Sequence, residues 1–296
     1  MSERLLGRWS LFASTLVVAC LVAVIGFVVI KGGPTLSLAL LFGDAEPWAA
    51  MLGNTPVWEG VWPACVGTLK AVLLALALAL VPGIATGLYL VLTPHSRFSQ
   101  ALAFVVDLLA GIPSVLMGLF GFTLIVFLKQ HLFASAGSSL LLSSTCLAML
   151  VLPYLAMATR MALMAQPSSL EVTALSLGMT PWQALWHVRL PEARMGIVAG
   201  VILALGRAAE DTAVIMLTGA VASAGLAGGL FERFQALPFT IFYYGAQYQS
   251  EFELQMAFGA ALILLILTAS LSTLVVALVG GYQQRVLSPN QGQEEA

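Results

Sequence analysis

Six apolar runs divide the chain, at about 9–30, 64–92, 99–128, 138–159, 194–220 and 254–281, and each is long enough to cross a bilayer core as a helix of about 20 residues. Between the fourth and fifth runs the pattern changes. Pro167 to Pro191, P-S-S-L-E-V-T-A-L-S-L-G-M-T-P-W-Q-A-L-W-H-V-R-L-P, predicts two short amphipathic helices. Ser168 with Glu171, and Thr180-Pro181 with Gln183, each have the form of a capping box. Gly178 between them suits a left-handed helix end. Leu170, Ala174 and Leu177 on the first helix, and Trp182, Leu185 and Trp186 on the second, recur at the spacing of a packed face. The third long run is expected to break at Gly111-Ile112-Pro113-Ser114, beyond Asp107, because a proline after a β-branched residue disfavours continuous helix. Pro82-Gly83 is expected to kink the second.

Composition narrows the class. Of 296 residues, 60% are hydrophobic and only 9% charged, which marks an all-α, multi-pass membrane protein and leaves no electrostatic footprint for nucleic acid. The first run follows Arg4 and Arg8, and Val17-Val18-Ala19-Cys20 loosely resembles a lipoprotein cleavage site. It continues to Ile30, longer than a signal h-region, and is expected to be an uncleaved first helix. Placing both termini in the cytoplasm puts Arg4, Arg8, Arg97, Arg160, Arg189, Arg194 and Arg285 inside, against Lys31, Lys129 and Arg233 outside. The hairpin 167–191 is then cytoplasmic. Residues 1–63 form a first span and an outer segment with interfacial Trp48, Trp58 and Trp62, residues 64–285 the core, and 286–296 a polar tail. Lys70 is placed to snorkel to the outer interface.

Charge inside a span is costly and marks a candidate site. In Gly206-Arg207-Ala208-Ala209-Glu210-Asp211-Thr212, Arg207 falls about 20 Å along a helix that starts near Arg194. Glu210 and Asp211 follow at spacings that share its face. A guanidinium offers a donor fork to an oxyanion, whereas a carboxylate accepts a hydrogen bond only from an anion that still carries a proton. Two roles are open at this point: an anion station, or an Arg–carboxylate pair tying span five to a neighbour. Arg160 is either a second station or an orientation charge.

Several residues carry a resemblance to a known family. Glu171, Ala174, Gly178 and Leu190-Pro191 resemble the E-A-A…G…L-P loop through which bacterial ABC importer permeases dock on their ATPase, with Val172-Thr173 in place of Ala-Ala. Ala110 to Gly121, A-G-I-P-S-V-L-M-G-L-F-G, together with Val66-Gly67-Thr68-Leu69 and Leu152-Pro153-Tyr154, is similar to the phosphate-importer permeases. Leu237-Pro238 and Ile241-Phe242 look like the A-type subunit. The Arg207 stretch resembles their G-R-A-x-G-E-T run, with Glu210 in the Gly place and Asp211 in the Glu place. The resemblance implies an all-α membrane protein of six transmembrane helices with the type I (MetI-like) ABC importer permease fold. It implies ATP-driven phosphate import by alternating access across the bacterial inner membrane. Its partners would be a sister permease, two ATPase subunits and a periplasmic phosphate-binding protein. Another oxyanion or a phosphonate as cargo, and an ion-coupled secondary carrier, are the alternatives.

The chain has no G-x-x-x-x-G-K-[ST] loop, so ATP hydrolysis is expected to belong to a partner, and the chain itself to be non-catalytic. His95, His131 and His187 lack metal-ligand spacing, and no cofactor or metal is expected. Cys20, Cys65 and Cys146 suggest packing rather than disulfides.

Overall fold

The computed structural model describes residues 3–287, with side chains from 7 to 277. The expected polar tail, from Ser288 onward, lies outside the described residues. The described chain is helical. Helix α1 spans Glu3–Gly32, and a cap follows containing α2 (Leu38–Phe42) and α3 (Pro47–Met51). Then come α4 (Trp62–Leu92), α5 (Arg97–Gly111), α6 (Ser114–His131) and α7 (Leu140–Met164). The hairpin holds α8 (Ser168–Ser176) and α9 (Pro181–Ala184), and a π-helical turn at Leu185–Arg189 leads into α10 (Leu190–Glu210). The chain ends with α11 (Thr212–Thr218), α12 (Leu237–Gln247) and α13 (Glu251–Leu287).

Five helical stretches are individually long and apolar enough to cross a membrane: Gly7–Thr35, Trp62–Leu92, Ser114–His131, Leu140–Met164 and Glu251–Ala277. The sixth traverse is α10 with α11, which returns the chain from the hairpin end to the cap end. There the Ser139 amide donates to the Thr218 carbonyl at 3.1 Å. Two traverses are therefore broken helices. The α5–α6 break at Ile112-Pro113 is the one the sequence predicts: Ile112 is extended (φ −73°, ψ 125°). The second break, at Asp211, is a correction to a continuous fifth span. Asp211 is extended (φ −75°, ψ 104°) and its Oδ1 accepts from the Val214 amide at 2.8 Å, so its side chain starts a new helix instead of continuing the old one. Helix α4, in contrast, runs through Pro82 as one element.

Lipid is as apolar as leucine, so packing rather than water exclusion holds such helices together, and small residues permit it. On α4 the small residues recur every four positions, Gly67, Ala71, Ala75, Ala79, Gly83 and Gly87, all buried. A β-carbon at Gly87 would come within 2.4 Å of the Ala156 carbonyl oxygen, and one at Gly83 within 2.7 Å of Leu155 Cβ. The two contacts advance together, so α4 and α7 lie parallel at backbone distance. Across α7, Gly196 and Gly200 of α10 face Ala162 and Ala158, an antiparallel crossing of the same kind. Helix α1 touches the rest chiefly through α13, where Gly32 abuts the Phe258 backbone and Phe27 stacks edge-on against Phe258 at 5.5 Å.

At the cap end, the loop from Gly219 to Ala236 is stitched down. Ala220 pairs with Phe234, the Leu140 and Leu141 amides donate to the Glu232 and Leu230 carbonyls, and the Leu237 amide donates to Thr68 Oγ1 at 2.8 Å. Lys70 does not simply snorkel. Its Nζ donates to the Ala227 carbonyl at 2.8 Å and clamps this loop to α4.

Candidate functional site

Arg207 occupies the last turn of α10, and Asp211 caps the first turn of α11. The guanidinium thus sits at the negative end of one half-helix and the carboxylate at the positive end of the next, so both charges are favoured where they stand. They pair at 3.2 Å between Nη2 and Oδ2, with the Asp211 side chain 1% exposed and that of Arg207 33% exposed. Both Asp211 oxygens are used, one by Val214 and one by Arg207.

The remaining donor capacity of Arg207 is turned toward a cavity of about 460 Å³ between α7, α10 and α13. Its polar lining is Tyr154, Arg207, Glu210, Thr268 and Ser272, with Gly206 leaving an open flank. The break at Asp211 separates the two acids that sequence spacing assigns to one face. Glu210 is exposed and lines the cavity, while Asp211 is buried behind the guanidinium. The arrangement can therefore offer an oxyanion a guanidinium edge, hydroxyls, and one carboxylate able to accept a proton-bearing oxygen. The alternative role, an Arg–carboxylate pair tying span five to a neighbour, takes a different form: Arg207 and Asp211 lie four residues apart across the break within the same traverse. Arg160 is not brought to this cavity. It lies on α7, six residues beyond Tyr154 and one turn from the end of the helix. Tyr154, Thr268 and Ser272 are the polar cavity residues that sequence reasoning did not assign to the site. The only signal for the latter two was polar atoms in the last long apolar run.

The hairpin takes the helix–glycine–helix form, with Gly178 at φ +84°. The capping box of Thr180 and Gln183 is made in both directions. The one expected at Ser168 and Glu171 is not: Pro167 takes the cap position, and Glu171 reaches instead to Arg189 at 3.0 Å. Gln166 Nε2 also donates to the Arg189 carbonyl. The two contacts tie α8 and the segment just before it to the turn that feeds α10. The stripes also divide differently from the sequence expectation. Ala174, Ala184 and Leu185 are buried within the hairpin, whereas Leu177 (75%), Trp182 and Trp186 remain exposed. Leu190-Pro191 opens α10, so the hairpin and Arg207 lie at opposite ends of a single helix. A pocket of about 290 Å³ at the tip is lined by Leu177, Gly178, Met179, Gln183 and His187. At the cap end, burial and the neighbouring charges of Glu253, Tyr243 and Glu59 push the Tyr244 phenol above its ordinary range. That end thus gathers acidic and aromatic groups.

Known proteins share this layout. Residues 81–288 match the family described as binding-protein-dependent transport system inner membrane component. The phosphate transport system permease protein PstA of Haemophilus influenzae is 30% identical over 236 residues, 79% of each chain. A probable phosphate transport system permease protein PstA of Methanocaldococcus jannaschii is 29% identical over 215 residues, 70% of this chain and 72% of that one. PstC 1 of Mycobacterium bovis is 34% identical over 188 residues, 56% of each. Among solved structures, a chain of the inward-facing MetNI methionine ABC transporter superposes with a TM-score of 0.55 at 20% identity, covering 75% of this chain and 96% of that one. The fold is accordingly that of the MetI-like importer permeases. The matched stretch holds the hairpin, both broken helices and the Arg207 cavity, and the chain belongs to the binding-protein-dependent transport system inner membrane components, alongside the permeases of the phosphate transport system.

Proposed function

We propose that this chain is a membrane permease subunit of an ATP-driven importer, and that it moves inorganic phosphate by alternating access between itself and a sister permease. Arg207 carries the assignment. It is a guanidinium inside a traverse, paired through Nη2 with Asp211, with its other edge in a cavity that also holds hydroxyls and Glu210. Partial pairing fits a transport site, because a fully free arginine would hold an anion too tightly to release it. Glu210 supplies selectivity: it accepts a hydrogen bond from phosphate, which keeps a proton near neutral pH, and repels fully ionised sulfate. Asp211 acts by holding Arg207 in place. Arg160, nearer the hairpin end of α7, is a later station on the same route.

The hairpin is the seat for an ATPase subunit, of which two are required, and a periplasmic phosphate-binding protein would meet the acidic, aromatic cap end. Glu171, Ala174, Gly178, Leu190 and Pro191 form the coupling element. Glu171 on α8 and Gln166 just before it hold the Arg189 turn, and Leu190-Pro191 passes displacement into α10. Exposed Leu177, Trp182 and Trp186 give the ATPase an apolar surface to grip. The hairpin side faces the cytoplasm, and the chain is inserted with both termini there. Uptake of radiolabelled phosphate into proteoliposomes holding the complete transporter and binding protein tests the cargo. Phosphate is expected to compete and sulfate or a phosphonate not to. Uptake equally competed by sulfate would overturn the assignment of phosphate.

A further inference from the structure

A second charge lies inside an apolar segment and has no role in the Arg207 cavity. Asp107 stands on α5 about 15 Å from its start at Arg97. Its side chain is exposed, and among the described residues no cation or hydrogen-bond donor meets it. Its own helix does not offset the charge, because α5 ends four residues later at Gly111 and presents its negative dipole end there. The face around it is made of small and polar residues, flanked by exposed Phe104 and Leu108. Gln100, Ala103, Asp107 and Ala110 recur at helical spacing within α5, and a β-carbon added at Gly111 would meet open space. Such a face admits another helix to close range.

Three surroundings compete for this carboxylate. Hydrocarbon disfavours an unpaired charge. The anion path does not take it up, since Asp107 lines no part of the Arg207 cavity, where Glu210 already supplies the carboxylate. A cation on an adjoining membrane helix satisfies it. A second copy of this chain is a poor source: Arg207 is held by Asp211, Lys70 by the Ala227 carbonyl, and Arg160 lies one turn from the end of α7. We infer that the Gln100–Asp107–Ala110 face of α5 seats a membrane helix of the sister permease, which presents a lysine or arginine to Asp107. The inference rests on the permease reading for the identity of its partner and is independent of the cargo.

The test is recovery of a tagged sister permease with this chain after co-expression of the full transporter and mild detergent extraction. Asp107→Arg is expected to lower recovery at least tenfold, and Asp107→Leu, which suits lipid better than aspartate and leaves the chain able to insert, to lower it severalfold. Asp107→Glu is expected to restore it. One Lys/Arg→Glu substitution in a span of the partner is expected to rescue Asp107→Arg. Recovery within twofold of the unsubstituted chain for both Asp107→Arg and Asp107→Leu would overturn the proposal. So would rapid labelling of Asp107→Cys, in a Cys20→Ala background, by a membrane-impermeant maleimide in the assembled complex, since that would place the position in water. Failure of the permease reading is separable: the unsubstituted complex would then assemble but show no ATP-driven uptake.

Discussion

Asp211 holds two structural duties that separate by substitution. As a cap it accepts the Val214 amide at 2.8 Å, and as a counter-charge it meets Arg207 at 3.2 Å. Asparagine caps about as well as aspartate, so Asp211→Asn removes only the charge, whereas Asp211→Ala removes both. Stripping one partner from a fully buried pair costs about 3–5 kcal/mol. Arg207 is 33% exposed and can recruit water, which brings the loss to about 1–2 kcal/mol. The cap adds about 1 kcal/mol. The alanine variant should therefore be less stable than the asparagine variant by about 1 kcal/mol, an apparent midpoint difference of about 2–4 °C for a chain of this size. Buried Cys65 and Cys146 provide the readout, since a thiol-reactive fluorogenic dye reaches them only on unfolding; exposed Cys20 is first replaced by alanine. Equal midpoints for the two variants would refute the claim that Asp211 starts α11.

Two further substitutions probe the site and the hairpin. Glu210→Gln gives the cavity an amide donor where it had only an acceptor, and sulfate inhibition of phosphate uptake should strengthen about tenfold, roughly 1.4 kcal/mol; unchanged sulfate inhibition would remove Glu210 from selectivity. Gly178→Pro cannot adopt the φ of +84° and removes the amide that donates to the Leu175 carbonyl. ATPase co-purification and coupled uptake should both fall at least tenfold, and survival of both would make the docking assignment wrong.

Much of the architecture was legible in the order of residues because bilayer thickness imposes a length on every apolar run. The break before Ser114 was legible too, since Ile112-Pro113 disfavours continuous helix, although the same kind of pair, Val81-Pro82, is carried inside α4. The break at Asp211 is signalled only ambiguously. An aspartate followed by Thr-Ala-Val is a helix start as well as a helix interior, and an apolar run of spanning length favours the continuous form. The division of labour between Glu210 and Asp211 is hidden with it, because two acids adjacent in sequence separate once the helix breaks. At the hairpin, Gly178 and the Thr180 box followed from local chemistry. The Ser168 box failed because Glu171 found Arg189, eighteen residues away in sequence, a tertiary contact that no local spacing encodes. Tyr154, Thr268 and Ser272 converge on one cavity from two helices far apart in the chain, and a single sequence holds no record of that meeting.

ATP-driven phosphate uptake by the complete transporter carrying Arg207→Gln is the most direct measurement of the central claim, made beside an immunoblot of all subunits to confirm assembly. Glutamine keeps the length and polarity of the side chain and removes the charge, so uptake should fall at least a hundredfold with the complex intact. Uptake within twofold of the unsubstituted transporter would contradict the account, leaving Arg207 and Asp211 as an ion pair that bridges the break and takes no part in moving the anion.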